Sequence, residues 1–466
     1  MPMTESELVS KQAAVMLREV IDPAVYPRST QVRVEAHLRG DARAALISPE
    51  RACSERYEAV GVGYRWGPKW ATCWFRVRGE VPEAMAGGTV GLRFSTATEG
   101  LVWRRGAGGW EPVQGLDVNR DFVRLYEQAS GDEEVDLLIE AACNHPFGVT
   151  GFEWDDPDVH RRWSSPTPAM LERCEVVMLD PKVWEFRQVF AFALGLLKDV
   201  AEDSARAGEL REVLLRAMRA IGVAEARCPE RGVREVAQDQ AEAIARALAR
   251  GEDRDATLCH AVGHAHLDTA WLWPVRETKR KCLRTFSNQI GLMERFPGYS
   301  FLCSQAQHYA WVEESCPALF AKIRVRVEEG RWEAGGAMWV EADANCPSGE
   351  SLVRQIVHGT RYWTSRFGTR GEQRFLFLPD TFGFPASIPQ IMRLAGLGTF
   401  ITNKLHWNST NRFPHTTFVW RGIDGSEVIA HNTPGADYNA VNTPKELRRG
   451  EKNYRETTAG ERARGE

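Results

Sequence analysis

The most specific pattern in this chain is the segment Gly263-His264-Ala265-His266-Leu267-Asp268-Thr269-Ala270-Trp271-Leu272-Trp273-Pro274. Three metal-binding side chains alternate in it, at positions 264, 266 and 268. On an extended chain, side chains two residues apart lie on one face, so all three can point into one site. Imidazole with carboxylate suits zinc, or less selectively another divalent metal. A solvated or buried polar strand end is the structural alternative.

Length and composition limit the classes of protein. The 466 residues exceed one ordinary domain, so two or three domains are expected. A net charge of −4 with both signs interspersed argues against a nucleic-acid partner. The ten cysteines include no Cys-x-x-Cys pair, which is typical of reduced thiols. The sequence has neither a signal peptide pattern nor a membrane-spanning run, so we expect a cytoplasmic protein without membrane contacts.

Hydrophobic periodicity divides the chain into four predicted regions. Residues 1–165 are predicted as a β-rich, sandwich-like domain, because short alternating runs are separated by glycine-rich breaks. Residues 166–255 are predicted as a helical connector, since apolar residues recur there at three- and four-residue spacing. In residues 256–445 predicted strands, at 376–378 and 399–402, occur with predicted helices, at 288–296 and 351–367, and this alternation indicates an α/β domain on a parallel sheet or barrel. The charged residues 446–466 are expected to be a disordered tail or the mark of a truncated gene product.

A second candidate carboxylate follows a predicted apolar strand. Asp380 comes directly after the run at residues 375–378 and before a turn with Gly383. In α/β folds, functional groups collect at the carboxyl ends of strands, so Asp268 and Asp380 can converge from two strands of one sheet. A lone aspartate in such a place is otherwise a helix N-cap.

Seven short motifs lie between about residues 259 and 440: residues 263–274, Ser304-Gln305-Ala306-Gln307, Gly330-Arg331-Trp332-Glu333, Met338-Trp339-Val340-Glu341, Pro347-Ser348-Gly349-Glu350-Ser351-Leu352, residues 378–384 and Asn411-Arg412-Phe413-Pro414-His415-Thr416. In this order they resemble glycoside hydrolase family 38, the α-mannosidases, and most closely its cytosolic and vacuolar branch. The resemblance implies a retaining exo-α-mannosidase with one zinc ion in a (β/α)7 barrel, here an incomplete one. It implies His266 and Asp268 as zinc ligands, and Asp380 as both zinc ligand and catalytic nucleophile.

The same resemblance implies residues that contact the sugar. Trp271 matches an aromatic residue that stacks on the terminal mannose, and Tyr438 with Asn439 matches a segment that contacts its hydroxyls. Lys404, after a predicted strand, could contact the nucleophile region, with a solvated lysine as the alternative. The implied partner is an oligomannoside or another mannoside, and a homo-oligomer is compatible with the sequence.

Two parts of the family pattern have no match after Ala440. These are the general acid/base aspartate and a histidine that is the fourth zinc ligand. The resemblance stops near Tyr454, so the sequence predicts a C-terminally truncated chain with negligible activity on oligomannose, unless Glu341 or Asp343 serves as the acid.

Two other functions remain open at this stage. A metal-dependent amidohydrolase also carries His-x-His at the end of a first barrel strand, but it needs further histidine ligands. The candidates are His308, His358, His406, His415 and His431. The third alternative is a non-catalytic, carbohydrate-binding relic.

Overall fold

The computed structural model describes residues 3–144, 157–229, 231–249, 258–437 and 439–464. The strands are β1 (Arg28–Gln31), β2 (Arg33–Arg39), β3 (Glu58–Val60), β4 (Arg65–Trp66), β5 (Thr72–Glu80), β6 (Thr89–Ser95), β7 (Gly100–Gly106), β8 (Gly109–Leu116), β9 (Phe122–Tyr126), β10 (Glu134–Ala142), β11 (Ala169–Met170), β12 (Arg173–Leu179), β13 (Gly263–His264), β14 (Phe301–Cys303), β15 (Trp332–Ala334), β16 (Phe375–Phe377), β17 (Thr399–Thr402), β18 (Thr417–Arg421) and β19 (Glu427–Asn432).

The α-helices are α1 (Glu5–Met16), α2 (Asp22–Ala24), α3 (Pro49–Cys53), α4 (Pro157–Trp163), α5 (Pro181–Leu197), α6 (Ala205–Arg227), α7 (Gly232–Ala249), α8 (Val275–Arg295), α9 (Ala306–Ser315), α10 (Pro317–Glu328), α11 (Gly349–Phe367), α12 (Ile388–Leu394) and α13 (Pro444–Arg464). A π-helix, Leu17–Ile21, joins α1 to α2, and 3₁₀ turns lie at Glu83–Met85, Gly368–Gly371 and Lys404–His406. Among the described residues, no helix is both long and apolar enough to cross a bilayer.

The first β region is a pair of antiparallel sheets, as the sequence predicted. One sheet has the strand order β1-β12-β6-β9, and the other has β3-β2-β5-β10-β7-β8. Alternate residues of β6 (Val90, Leu92 and Phe94) are buried in the core shared by the sheets. Burial of one face of each sheet is the usual source of stability in such a sandwich.

Helices α5, α6 and α7 contribute to one apolar core, and two elements lie across the domain limits expected at 1–165 and 166–255. Helix α1 does not belong to the β region, because its Val9 and Ala13 are buried against the apolar faces of α5, α6 and α7. Strand β12 lies after residue 166 but belongs to the sandwich, where it pairs with β1 and β6. Both differences arise from long-range pairing that local periodicity does not reveal.

The second half of the chain is an α/β unit, in which parallel strands alternate with helices. Strands β13, β14 and β15 are parallel neighbours, and so are β16, β17 and β19. Strand β18 is antiparallel to β19 at the edge. A single parallel bridge between Gly336 and Leu376 links the two groups of strands. The carboxyl ends of β13 to β17 therefore face the same side of the unit.

Two local expectations were wrong. The extended segment predicted at 264–268 is a strand only at Gly263–His264. Beyond it, two carbonyls accept hydrogen bonds from side chains: Gln305 donates to Leu267 O at 2.7 Å, and Thr278 to Asp268 O at 3.1 Å. The tail at 446–466, predicted as either disordered or the mark of a truncated gene product, is not disordered: it is helical over most of its length, in α13. Ion pairs four residues apart, such as Arg455–Glu451, support this helix, and Asn453 ties it to the carbonyl of Pro434.

A buried charge network joins α8 to the β-sandwich. Glu277 receives hydrogen bonds from Arg284 at 2.6 Å and from Arg280 at 3.2 Å. The sandwich contributes Glu99, which pairs with Arg284 at 2.9 Å and Lys281 at 2.7 Å. Burial alone would raise the pKa of Glu277, but these positive charges outweigh it and lower the pKa to about 2. The two halves of the protein are thus held together by paired charges as well as by apolar packing.

Candidate metal centre and active site

The candidate site forms at the carboxyl ends of strands from both groups of parallel strands. His266 and Asp268 lie just after β13, and Asp380 lies three residues after the end of β16. The Thr381 hydroxyl donates to the carbonyl of Ala342 at 2.9 Å, which anchors the turn that carries Asp380. Residues far apart in the sequence are therefore brought together at one edge of the parallel sheet, as expected for an α/β unit.

His266, Asp268 and Asp380 form a group that could hold a metal ion, with one ligand atom of each within 4.8 Å of the others. Nε2 of His266 lies 3.4 Å from Asp268 Oδ1 and 3.6 Å from Asp380 Oδ2. Two ligands of a tetrahedral zinc ion, each about 2.0–2.2 Å from the metal, lie roughly 3.3–3.6 Å apart. The spacing of the three ligand atoms therefore fits a divalent ion of this size.

The charges around the group also fit a divalent cation. Three carboxylates, those of Asp268, Asp380 and Glu341, face His266, and Lys404 supplies one positive charge at 2.6 Å from Asp380. Three negative charges and one positive charge give a net charge of −2. A divalent cation would balance this charge when the imidazole of His266 is neutral. Their side chains are between 4% and 27% exposed, so water screens these charges only in part.

His266 occupies the centre of this cluster. Its Nδ1 contacts a carboxylate oxygen of Glu341, and Ser304 donates a hydrogen bond to the other oxygen of Glu341. Burial alone would lower the pKa of His266, but Glu341 and the two aspartates raise it to about 12. A bound metal would take the place of the proton on Nε2, because histidine binds metals in its neutral form.

Lys404 and two aromatic rings flank Asp380. The Lys404 ammonium lies 4.0 Å from the ring centre of Phe382 and 3.7 Å from that of Trp407. Both rings are exposed, Phe382 at 73% and Trp407 at 61%. The Lys404 side chain itself is 9% exposed, so it is not the solvated lysine that the sequence left as an alternative.

The structure places the remaining predicted residues as follows. Trp271 is 45% exposed, and its ring meets that of Trp273 edge-on at 5.7 Å. Asn439 is exposed, and its backbone N–H donates to Asp437 at 2.8 Å. Tyr438 lies outside the described residues. The roles of Trp271, Tyr438 and Asn439 in sugar binding remain predictions.

His264 is not part of the cluster, although the alternation at positions 264, 266 and 268 placed it there. Its ring packs edge-on against Phe377, with ring centres 5.1 Å apart. Burial lowers the pKa of His264 to about 4, so the ring is neutral at physiological pH. The segment leaves the strand after His264, which turns the side chains of His266 and Asp268 toward Asp380 instead.

The other histidines proposed as amidohydrolase ligands have different contacts. His308 is buried and bonds to the Thr269 hydroxyl at 2.7 Å, while His406 bonds to the carbonyl of Thr433 at 2.7 Å. His431 lies 2.9 Å from the Thr417 hydroxyl. In the part of the chain that the structure describes, none of these joins the His266 cluster as a metal ligand. The arrangement does not favour an amidohydrolase.

Comparison with known proteins assigns the family. Residues 256–463 match the family model described as "Glycosyl hydrolases family 38 N-terminal domain", and residues 31–169 match "Alpha-mannosidase, jelly roll domain". The chain belongs to glycosyl hydrolase family 38. The match to the second model identifies the β-sandwich of this family member as a jelly roll, and the first covers the α/β unit that carries the site.

Three curated relatives illustrate the similarity of this family 38 chain. It is 36% identical to "Alpha-mannosidase 2C1" of Homo sapiens over 86% of its own length and 38% of the relative. It is 34% identical to "Alpha-mannosidase G" of Dictyostelium discoideum, covering 90% of the chain and 37% of the relative. For "Alpha-mannosidase" of Saccharomyces cerevisiae the identity is 33%, over 85% of the chain and 36% of the relative. The chain thus spans less than two fifths of the length of these relatives.

Sequence reasoning missed three residues of the site. Ser304, Glu341 and Phe382 each lie in a motif that carried the family resemblance, but Ser304 and Phe382 were given no role, and Glu341 was considered only as an alternative acid. Their place in those motifs was the available signal. Glu341 contacts His266, Ser304 contacts Glu341, and Phe382 contacts Lys404. Each contact joins segments that are separated in the chain, and the sequence alone does not show that they meet.

Proposed function

We propose that this chain carries the catalytic site of a zinc-dependent retaining α-mannosidase, which removes terminal α-linked mannose from oligomannosides. The observation that carries the proposal is the convergence of His266, Asp268 and Asp380 in a chain of family 38. The names of the relatives support mannose as the sugar. The parallel strands β13 to β17 and β19 would then be part of a (β/α)7 barrel. A cytoplasmic location and a homo-oligomer also stay proposals.

In this proposal, His266 Nε2 and one oxygen each of Asp268 and Asp380 hold the zinc ion. When bound, zinc supplies Lewis acidity that can hold two sugar hydroxyls and favour a distorted ring. Only three protein ligands come from the described residues, which leaves room for oxygen atoms of water or sugar.

Asp380 is the proposed nucleophile. Lys404 holds its Oδ1 at 2.6 Å, and this charge-assisted hydrogen bond fixes the orientation of the carboxylate. An oxygen of Asp380 forms a bond to the anomeric carbon of mannose while the bond from that carbon to the leaving oxygen breaks. Water then releases mannose from the resulting ester, which retains the anomeric configuration.

In such a reaction a protonated carboxyl must also donate its proton to the leaving oxygen. Neither residue considered from the sequence suits this role. Both oxygens of Glu341 are engaged, by His266 and by Ser304. Asp343 accepts the backbone N–H groups of Asn345 and Cys346, and these hydrogen bonds lower its pKa. Tests of this chain are therefore best made with a mannoside whose leaving group needs no protonation.

The metal site can be tested by zinc-dependent stability. After chelation, adding zinc at a hundred times its dissociation constant should stabilise the chain by about 2.7 kcal/mol, because only the folded state holds the ion. His266→Gln should abolish this increase, measured as the shift in the thermal unfolding midpoint. The matched control is His264→Gln, which changes the neighbouring histidine and should keep the zinc response. Loss of the response in His264→Gln alone would contradict the proposed ligand set.

Turnover separates the candidate functions. The zinc-loaded chain should release dinitrophenol from 2,4-dinitrophenyl α-mannoside, and the His266→Gln variant should not. Binding of mannose without any release would indicate the carbohydrate-binding alternative. Hydrolysis of amide substrates in place of mannosides would indicate an amidohydrolase and overturn the proposal.

The proposed stacking of mannose on Trp271 can be tested by substitution. Trp271→Ala should weaken mannose binding by about 1–2 kcal/mol, because the exposed indole face no longer stacks on the ring. Isothermal titration with mannose measures the change. Trp273→Phe is the matched control, since the Trp273 indole donates to Thr278 at 3.0 Å and lies 4.4 Å from the Lys281 ammonium, contacts that stabilise the fold. Unchanged affinity with lower stability in Trp271→Ala would identify Trp271 as a packing residue.

A further inference from the structure

The ends of three neighbouring parallel strands meet around the imidazole of His266. His266 follows β13, Ser304 follows β14 and Glu341 follows β15, and these strands are adjacent in this order. The three side chains therefore reach one another across strand ends, although 75 residues separate His266 from Glu341 in the sequence.

Glu341 is buried between the other two residues. One of its oxygens contacts Nδ1 of His266, and the other accepts the hydroxyl of Ser304. Its side chain is 4% exposed, and Ser304 is 1% exposed. A buried carboxylate with both oxygens engaged has a fixed orientation, and as an acceptor it requires a proton on Nδ1. The opposite nitrogen, Nε2, is then the atom directed at Asp268 and Asp380.

The backbone next to His266 is held by the same segment that supplies Ser304. The Gln305 amide donates to the carbonyl of Leu267 at 2.7 Å. The Thr269 hydroxyl donates to Gln305 Oε1 at 3.0 Å and also lies 2.7 Å from Nε2 of His308. The segment from Ser304 to His308 thus fixes both the ring of His266, through Glu341, and the turn that carries Asp268.

We infer that Glu341, oriented by Ser304, is the positioning residue that presents Nε2 of His266 to the metal ion and thereby sets the metal affinity of the site. The inference rests on the proposed metal centre and deepens it. Both oxygens of Glu341 are taken by His266 and Ser304, so Glu341 would act on the ion only through His266. A carboxylate behind a histidine ligand fixes its tautomer and raises its basicity, and its loss typically weakens metal binding by about 10- to 100-fold.

The test is a titration of the metal-free 466-residue chain with zinc, in competition with a chromophoric chelator. Glu341→Gln should raise the dissociation constant for zinc by about 10- to 100-fold. Ser304→Ala, which keeps the carboxylate but frees its orientation, should give a smaller increase. Glu333→Gln is the matched control, because Glu333 lies on β15, the strand that precedes Glu341, and its side chain is exposed. The zinc affinity of this variant should equal that of the unmodified chain.

Cobalt(II) provides a second measurement that does not depend on activity. Its visible absorption bands should shift in Glu341→Gln, because the histidine donor is altered, and should be unchanged in Glu333→Gln. If Glu341→Gln does not fold, as circular dichroism of the metal-free chain would reveal, Ser304→Ala decides by the same two measurements.

The outcomes distinguish a failure of the positioning role from a failure of the proposed metal centre on which it rests. If the unmodified chain binds zinc and neither Glu341→Gln nor Ser304→Ala changes the affinity or the cobalt spectrum, the positioning role is overturned while the metal centre stands. If the unmodified chain binds neither ion, the metal centre itself is wrong, and the role of Glu341 falls with it. A loss of zinc affinity in Glu341→Gln and Ser304→Ala, but not in Glu333→Gln, supports both the metal centre and the positioning role of Glu341.

Discussion

Asp380→Asn is expected to abolish covalent labelling of the chain by a mechanism-based fluorosugar and to lower the release of dinitrophenol by at least about 10³-fold. The amide is a poor nucleophile, so the step that forms the ester fails. The same change weakens the metal site, because the amide oxygen is a weaker ligand than a carboxylate, and it removes the partner of Lys404 at 2.6 Å. Mass spectrometry of the labelled peptide identifies the modified residue.

The control for this experiment separates nucleophile from ligand. Asp268→Asn removes a carboxylate from the same cluster and should weaken zinc binding, yet it leaves the Asp380 carboxylate available. At saturating zinc, the Asp268→Asn chain should therefore still be labelled, and at Asp380. Labelling of any other residue in the unmodified chain would show that the nucleophile has been assigned wrongly.

The sequence predicted the parts of the fold that have clear periodicity. The predicted strand at residues 399–402 coincides with β17, and the helical patterns between 183 and 250 correspond to α5, α6 and α7. In each case apolar residues recur with the period of the element and are buried on one face. A local sequence pattern is therefore sufficient to predict an element when its apolar residues follow the period of that element.

Helix α8 shows where that reasoning stops. Only residues 288–296 were predicted as helical, whereas the helix begins at Val275. Its first half contains Glu277, Arg280, Lys281 and Arg284, charges that ordinarily indicate a solvated surface, yet all four are buried. The three positive charges pair across the domain interface with Glu99 and Glu140 of the jelly roll, and Glu277 pairs with Arg280 and Arg284 within the helix. No periodicity within α8 reveals partners that lie more than a hundred residues away.

The candidate site also has a part that the sequence predicted and a part that it did not. His266, Asp268 and Asp380 were predicted from their residue types and motifs, and the structure brings the three together. Their support by Ser304 and Glu341 was not predicted, because it depends on which strands are neighbours. The sequence identifies groups able to bind a metal, whereas the order of strands in the sheet determines which side chains orient them.

The charge network of α8 should make a large contribution to stability. Glu277→Gln is expected to lower the free energy of unfolding by about 3–5 kcal/mol at pH 7, because it leaves Arg280 and Arg284 buried with less compensating charge. Urea unfolding followed by circular dichroism measures the loss. Glu294→Gln changes an exposed glutamate of the same helix and should alter stability by no more than about 0.5 kcal/mol.

The pH dependence of this difference tests its cause. The pKa of Glu277 is lowered from 4.5 in the unfolded chain to about 2 in the folded protein, so folding favours the ionised form. Its stabilisation is therefore fully present above pH 4.5 and is lost as the pH falls toward 2. The gap in stability between the unmodified chain and Glu277→Gln should narrow over that interval, while the gap to Glu294→Gln stays small. A gap that does not change with pH would mean that the glutamine disturbs packing and that charge pairing at Glu277 contributes little to holding α8 against the jelly roll.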